Sequence, residues 1–86
     1  MLGDLLVRQR LKLGISQDKI ARKAGVTPST VSRWENNKIS GPFSIPTIHK
    51  MSIGYDLSKY TLINSLPQEQ KEYLLKYLTD DNPSDT

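Results

Sequence analysis

Arg33 and the small polar residues around it are the part of this 86-residue chain best suited to recognition chemistry. At about 100° per residue, a helix through Val31 and Trp34 turns Ser29, Arg33, Asn36 and Asn37 to the side opposite those two apolar residues. Thr30 and Ser32 fall on its flanks. A guanidinium is a rigid fork of donors that meets two acceptors at once, as guanine presents them at O6 and N7. Serine and threonine hydroxyls donate or accept at base edges, and a threonine methyl can touch that of thymine. On an arbitrary helix Arg33 would be a solvated surface arginine, so its meaning depends on what holds the helix.

Two short helical patterns meet at Gly25 and do the holding. Ser16 can cap the first, Gln17 to Ala24, and Thr27 the second, Pro28 to about Asn36. Pro28 falls at the first helical position, where a missing N–H costs nothing. Gly25 stands where the first helix must stop and turn sharply. Ile20, Ala24, Val31 and Trp34 supply the apolar faces, and Ala21 leaves room for a close crossing. This is the sequence form of a helix-turn-helix, whose second helix enters a DNA major groove.

Candidates for the DNA backbone surround it. Lys19, Arg22 and Lys23 lie on the outer face of the first helix, and Gln17 opens it beside free N–H groups that favour an anion. Asn36 and Asn37, toward the end of the second helix, suit phosphates better than bases. Lys38, with the backbone of Ile39 and Ser40, can follow the phosphates. Charge is distributed to match. Residues 1–59 hold ten Lys/Arg against four Asp/Glu, whereas residues 60–86 hold two against five.

The stretch from Gln17 to Trp34, with Glu35-Asn36-Asn37-Lys38 after it, resembles the lambda-repressor/Cro-type helix-turn-helix family, also called the xenobiotic-response-element family. The matching features are Gln17, Ala21, Gly25, Val31 and the run Trp34-Glu35-Asn36, with Pro42 and the segment 44–60 following the family's later helices. The likeness covers roughly residues 2–65. It implies an all-α, five- to six-helix lambda-repressor-like domain that binds double-stranded DNA in a sequence-specific way, most simply as a transcriptional repressor. Asn37 departs from the usual glycine but tolerates the left-handed conformation. Met51 to Tyr55 fit the family's usual fourth-helix ending only loosely.

The remaining chain reads as scaffold. Leu2, Leu5, Leu6 and Leu13 predict a first helix from about Leu2 to Leu13, ended by Gly14. Arg10 falls on its apolar stripe, as Glu35 falls on the inner side of the second motif helix. A charge in either place needs a partner or a route to water. Pairing Arg10 with Glu35 resolves both, and the family resemblance implies the same pair. Trp34 is expected in the core.

Ser44 can cap a fourth helix running to about Ile53, with Ile48, Met51 and Ile53 inside and Gly54 ending it. Phe43 and Ile45 are expected to anchor the preceding loop, and Ser58 to cap a short fifth helix. A last helix, Gln68 to about Thr79, carries Tyr73, Leu74, Tyr77 and Leu78 on one stripe. That surface either closes the core or meets a second copy, and a homodimer on a pseudo-palindromic operator is the expectation. The domain plan is thus 1–65 for the DNA-binding unit, 66–79 for the last helix and 80–86 for a flexible acidic tail.

Other functions find little support. There is no cysteine and a single histidine, which argues against a disulfide framework, a metal site or a histidine-based triad. No phosphate-binding glycine loop or paired-carboxylate site is present, so no catalytic residue, cofactor or small-molecule ligand is expected. No apolar run reaches the length of a membrane span or signal core, which places the chain in the cytoplasm. An antitoxin of a toxin–antitoxin pair, or a small autoregulator, would keep the same DNA surface. A helical protein-interaction module would lack the basic outward face.

Overall fold

The computed structural model describes residues 2–38 and 43–81, with side chains described as far as Lys76. Among these described residues six helices follow in order: α1 (Leu2–Leu13), α2 (Gln17–Ala24), α3 (Pro28–Glu35), α4 (Ile45–Tyr55), α5 (Lys59–Asn64) and α6 (Gln68–Asp81). The architecture is the expected all-α one. Among the described residues no helix is long and apolar enough to cross a membrane, and no acidic or histidine cluster could hold a metal ion. Ser40 and Pro42, and residues 82–86 of the expected tail, lie outside the described residues; Asp80 and Asp81 continue α6.

Local capping sets most boundaries. The side chains of Ser16, Thr27, Ser44 and Ser58 each accept from the backbone N–H three residues on, satisfying one orphan donor per helix start. Gly25 adopts φ 74° and ψ 35°, and its N–H returns to the Ala21 carbonyl. Alanine in that left-handed well would cost roughly 1–2 kcal/mol. Asn37 takes the same conformation at φ 57°, as its amide side chain permits. α3 ends at Glu35 with Asn36 as its cap, one residue earlier than expected.

α4 corrects a larger expectation. Gly54 does not end it; the helix continues through Gly54 to Tyr55, and Asp56 takes the left-handed cap at φ 55°. Gly54 is needed where α4 crosses α2: a Cβ there would lie 3.1 Å from the Ala24 Cβ and 3.2 Å from the Ile20 Cγ2. Ile53, expected inside, is 46% exposed, because the helical phase that buries Ile48, Met51 and Tyr55 turns position 53 outward.

The core is continuous through all six helices: Leu2 and Leu6 from α1, Ile20, Ala21 and Ala24 from α2, Val31 and Trp34 from α3, Ile48, Met51 and Tyr55 from α4, Leu62 and Ile63 from α5, then Leu66 and Leu74. Each fully buried leucine or isoleucine contributes about 1.5–3 kcal/mol of transfer free energy. Leu74 corrects the expected dimer stripe. It is 1% exposed within its own chain's core, while its neighbour Tyr73 is 55% exposed. The side chains of Tyr77 and Leu78 lie outside those described.

Candidate nucleic-acid interface

Among the described residues Glu35 is the one charged residue that is buried, 7% exposed at the end of α3. Its carboxylate accepts from four donors on three other helices. Oε2 takes Arg10 Nε and the Tyr55 hydroxyl, both at 2.8 Å. Oε1 takes Arg10 Nη2 at 3.1 Å and Gln17 Nε2 at 3.0 Å. Arg10 also donates through Nη1 to the Ile15 carbonyl at 3.2 Å, holding the connection between α1 and α2. The expected Arg10–Glu35 pair is therefore present, in a bidentate geometry that fixes orientation as well as charge.

Electrostatics follow from this geometry. Burial alone pushes the Glu35 carboxyl pKa up. Hydrogen bonds from Arg10, Gln17 and Tyr55, with the Arg10 charge, outweigh it and hold the group below its ordinary value. The bond to Glu35 raises the Arg10 pKa against the opposing effect of burial. Burial, and then donation to an anion, drive the Tyr55 hydroxyl well above the usual phenol range. Tyr55 also lies beside Trp34, ring centroids 6.5 Å apart and planes inclined at 49°. One carboxylate thus binds α3 to α1, α2 and α4, and sets the angle at which α3 stands out.

On the outward side of α3, Ser29 and Arg33 are exposed, and Thr30 and Ser32 are half-buried. Thr27 gathers the two hydroxyls at the helix start, with its Oγ1 3.2 Å from Ser29 Oγ and 2.9 Å from Thr30 Oγ1. The first turn is therefore short and polar, while Arg33 one turn on has the reach of a long side chain. Lys38 is exposed, its backbone N–H tied to the Arg33 carbonyl at 2.9 Å.

The other candidate phosphate contacts divide. Lys19 and Arg22 are exposed on α2. Lys23 is engaged across the domain with Asp56 at 3.3 Å, a solvent-exposed pair of little energetic weight. Gln17 faces its amide nitrogen to Glu35, as it must, because an ionised carboxylate only accepts. Asn36 Nδ2 folds back to the Ser32 carbonyl at 2.8 Å. Asn37 Oδ1 accepts from the Gly3 N–H at 2.9 Å, capping α1 from outside. Ser40 lies outside the described residues.

Three residues that sequence reasoning passed over support this arrangement. Tyr55 continues the α4 stripe four residues after Met51, a signal hidden by ending the helix at Gly54. Gln9 Nε2 donates to the Tyr55 carbonyl at 3.0 Å and so caps α4. Gly3 admits the end of α3, since a Cβ there would lie 2.6 Å from the Glu35 carbonyl oxygen and 2.7 Å from Asn37 Nδ2. No periodicity marks either contact.

Fold and site together define an all-helical module with a helix-turn-helix at its centre. The helix-turn-helix family model matches residues 6–61, and the chain belongs to that family, of the Cro/CI type. It is 36% identical over 73 residues to the HTH-type transcriptional regulator SinR of Bacillus licheniformis and 34% identical over 73 residues to SinR of Bacillus subtilis. Each alignment covers 85% of this chain and 63% of the relative, so the chain spans less than two thirds of their length. A solved SinR protein/SinI protein complex matches with a TM-score of 0.63 and 31% identity, over 93% of this chain and 81% of that one.

Proposed function

We propose that this chain is a sequence-specific DNA-binding transcriptional regulator, a repressor in its simplest form, that reads the major groove with α3. The observation that carries the reading is the exposed face of α3 beyond a left-handed Gly25 turn, with Arg33 outward and Val31 and Trp34 buried behind it. Ser29 and Arg33, with Thr30 and Ser32 at the flanks, contact base edges. Lys19, Arg22 and Lys38 supply the main phosphate contacts, with Gln17, Asn36, Asn37 and Ser40 in lesser positions. Lys23, already paired with Asp56, contributes least. The exposed basic residues of α2 and α3 disfavour a module that has lost its DNA surface.

Two copies bind a pseudo-palindromic operator about a two-fold axis, with half-sites about 10 base pairs apart, because one motif reads too few base pairs to specify a site. Tyr73, Tyr77 and Leu78 of α6 belong to the contact between copies, and Leu74 does not. The solved relative's complex with SinI protein supports a second reading, in which this chain also takes a protein partner. Titration with random-sequence duplex at rising salt tests the central reading. Log affinity is expected to fall linearly with log salt, at about 0.9 per phosphate neutralised. Absence of duplex binding even at low salt contradicts it.

A further inference from the structure

α6 lies beyond the residues matched by the family model, yet it reaches back to the chain that leaves α3. Gln70, half-buried in its first turn, accepts from the Phe43 backbone N–H through Oε1 at 3.4 Å. Phe43 packs against the core immediately before Ser44, whose hydroxyl accepts from the Thr47 N–H and starts α4. Leu74, one turn after Gln70 on the same face, is fully buried and fixes how α6 seats. Among the described residues, the backbone is therefore held on both the α3 side and the α4 side of the connection. Lys38 N–H is held by the Arg33 carbonyl of the recognition helix, and Phe43 N–H by Gln70 of α6.

We infer that Gln70 is a positioning residue for DNA binding, and that α6 belongs functionally to the DNA-binding unit instead of merely following it. Gln70 touches no nucleic acid. It sets where the chain re-enters the core after Lys38, and so limits how far Lys38 strays from the phosphates. This rests on the DNA-binding reading above. Loss of the Gln70 hydrogen bond lowers affinity only as far as the DNA-bound state depends on it more than the free state does, so the expected drop is at most the bond's full worth, roughly 10-fold. Because Lys38 is assigned to a phosphate and not to a base, the loss is equal for all DNA sequences.

The test uses Gln70→Met, which keeps length and volume but removes the acceptor, and Gln70→Glu, which retains one. Amide exchange is followed by NMR on the free protein, and binding to random-sequence duplex is measured alongside. The expected result is faster exchange at Phe43 in Gln70→Met, unchanged exchange at Ile20 and Leu62, retained Phe43 protection in Gln70→Glu, and an affinity weaker by up to roughly 10-fold in Gln70→Met. Unaltered Phe43 exchange in Gln70→Met overturns the inference. So does uniform acceleration across the core, which is the mark of a purely structural role, and so does faster Phe43 exchange with unchanged affinity. A wild-type chain that binds no duplex contradicts the DNA-binding reading itself and takes this inference with it.

Discussion

The Tyr55 hydroxyl donates to Glu35 Oε2 at 2.8 Å, joining the last turn of α4 to the last turn of α3 across 20 positions of sequence. The bond is buried and its acceptor is charged, so it is worth more than an exposed hydroxyl contact. Tyr55→Phe keeps the ring against Trp34 and removes only this donor. It is expected to cost about 1.5–3 kcal/mol in urea unfolding. A cost within experimental error of zero means that water replaces the hydroxyl on Glu35.

Arg10 and Glu35 are expected to be strongly coupled. Removing either one strands the other in a largely buried site, at a cost of about 3–5 kcal/mol. Removing both should cost much less than the two together, as measured by a double-mutant cycle. Additive costs contradict a shared bond network.

The same carboxylate makes stability depend on pH with a defined sign. The folded-state pKa of Glu35 lies below its ordinary value of 4.5. Its contribution is fully present above the unfolded value, and is lost as pH falls from there through the folded value. The stability advantage of wild type over Glu35→Gln should therefore shrink only below about pH 4.5. A constant difference from pH 7 to pH 3 contradicts the depressed pKa.

Gly3→Ala isolates a close approach from helix propensity. Alanine is favoured over glycine inside a helix by about 0.8–1.0 kcal/mol. Here, however, the new methyl lies 2.6 Å from the Glu35 backbone carbonyl, which cannot rotate away. Overpacking of this kind costs about 1–3 kcal/mol, so net destabilisation is expected in thermal or urea unfolding. A more stable Gly3→Ala protein places α1 farther from the end of α3.

Much of this was legible in the sequence because it is local. Ser16, Gly25, Thr27 and Pro28 act within a few residues, and the structure has them as caps and turn. Arg10 and Glu35 could be paired because each was a charge stranded on an apolar face. What was hidden is tertiary. Gly54 reads as a helix stop until Ile20 and Ala24 of α2 are packed against it. Tyr55 and Gln17 join Glu35 only after four helices have assembled. The α6 stripe was the hardest to judge, because amphipathicity says that a face is covered without saying by what, and Leu74 is covered by its own chain.

Lys38 and Lys23 should behave differently on DNA despite equal charge. Lys38→Ala is expected to weaken binding to all sequences and reduce the salt slope by about one. Lys23→Ala should change the slope less, because its ammonium is turned to Asp56. Equal changes in both slopes contradict this division of the basic surface.

The central claim is that α3 reads bases, and the most direct measurement is selection of bound duplexes from a random pool by wild type and by Arg33→Ala. Wild type is expected to enrich a pseudo-palindrome with half-sites about 10 base pairs apart and a guanine in each. Arg33→Ala is expected to lose preference at that base pair and about 1–3 kcal/mol of specific affinity, with the other positions retained. Identical enriched sequences from the two proteins, or no enrichment by wild type, contradict the account.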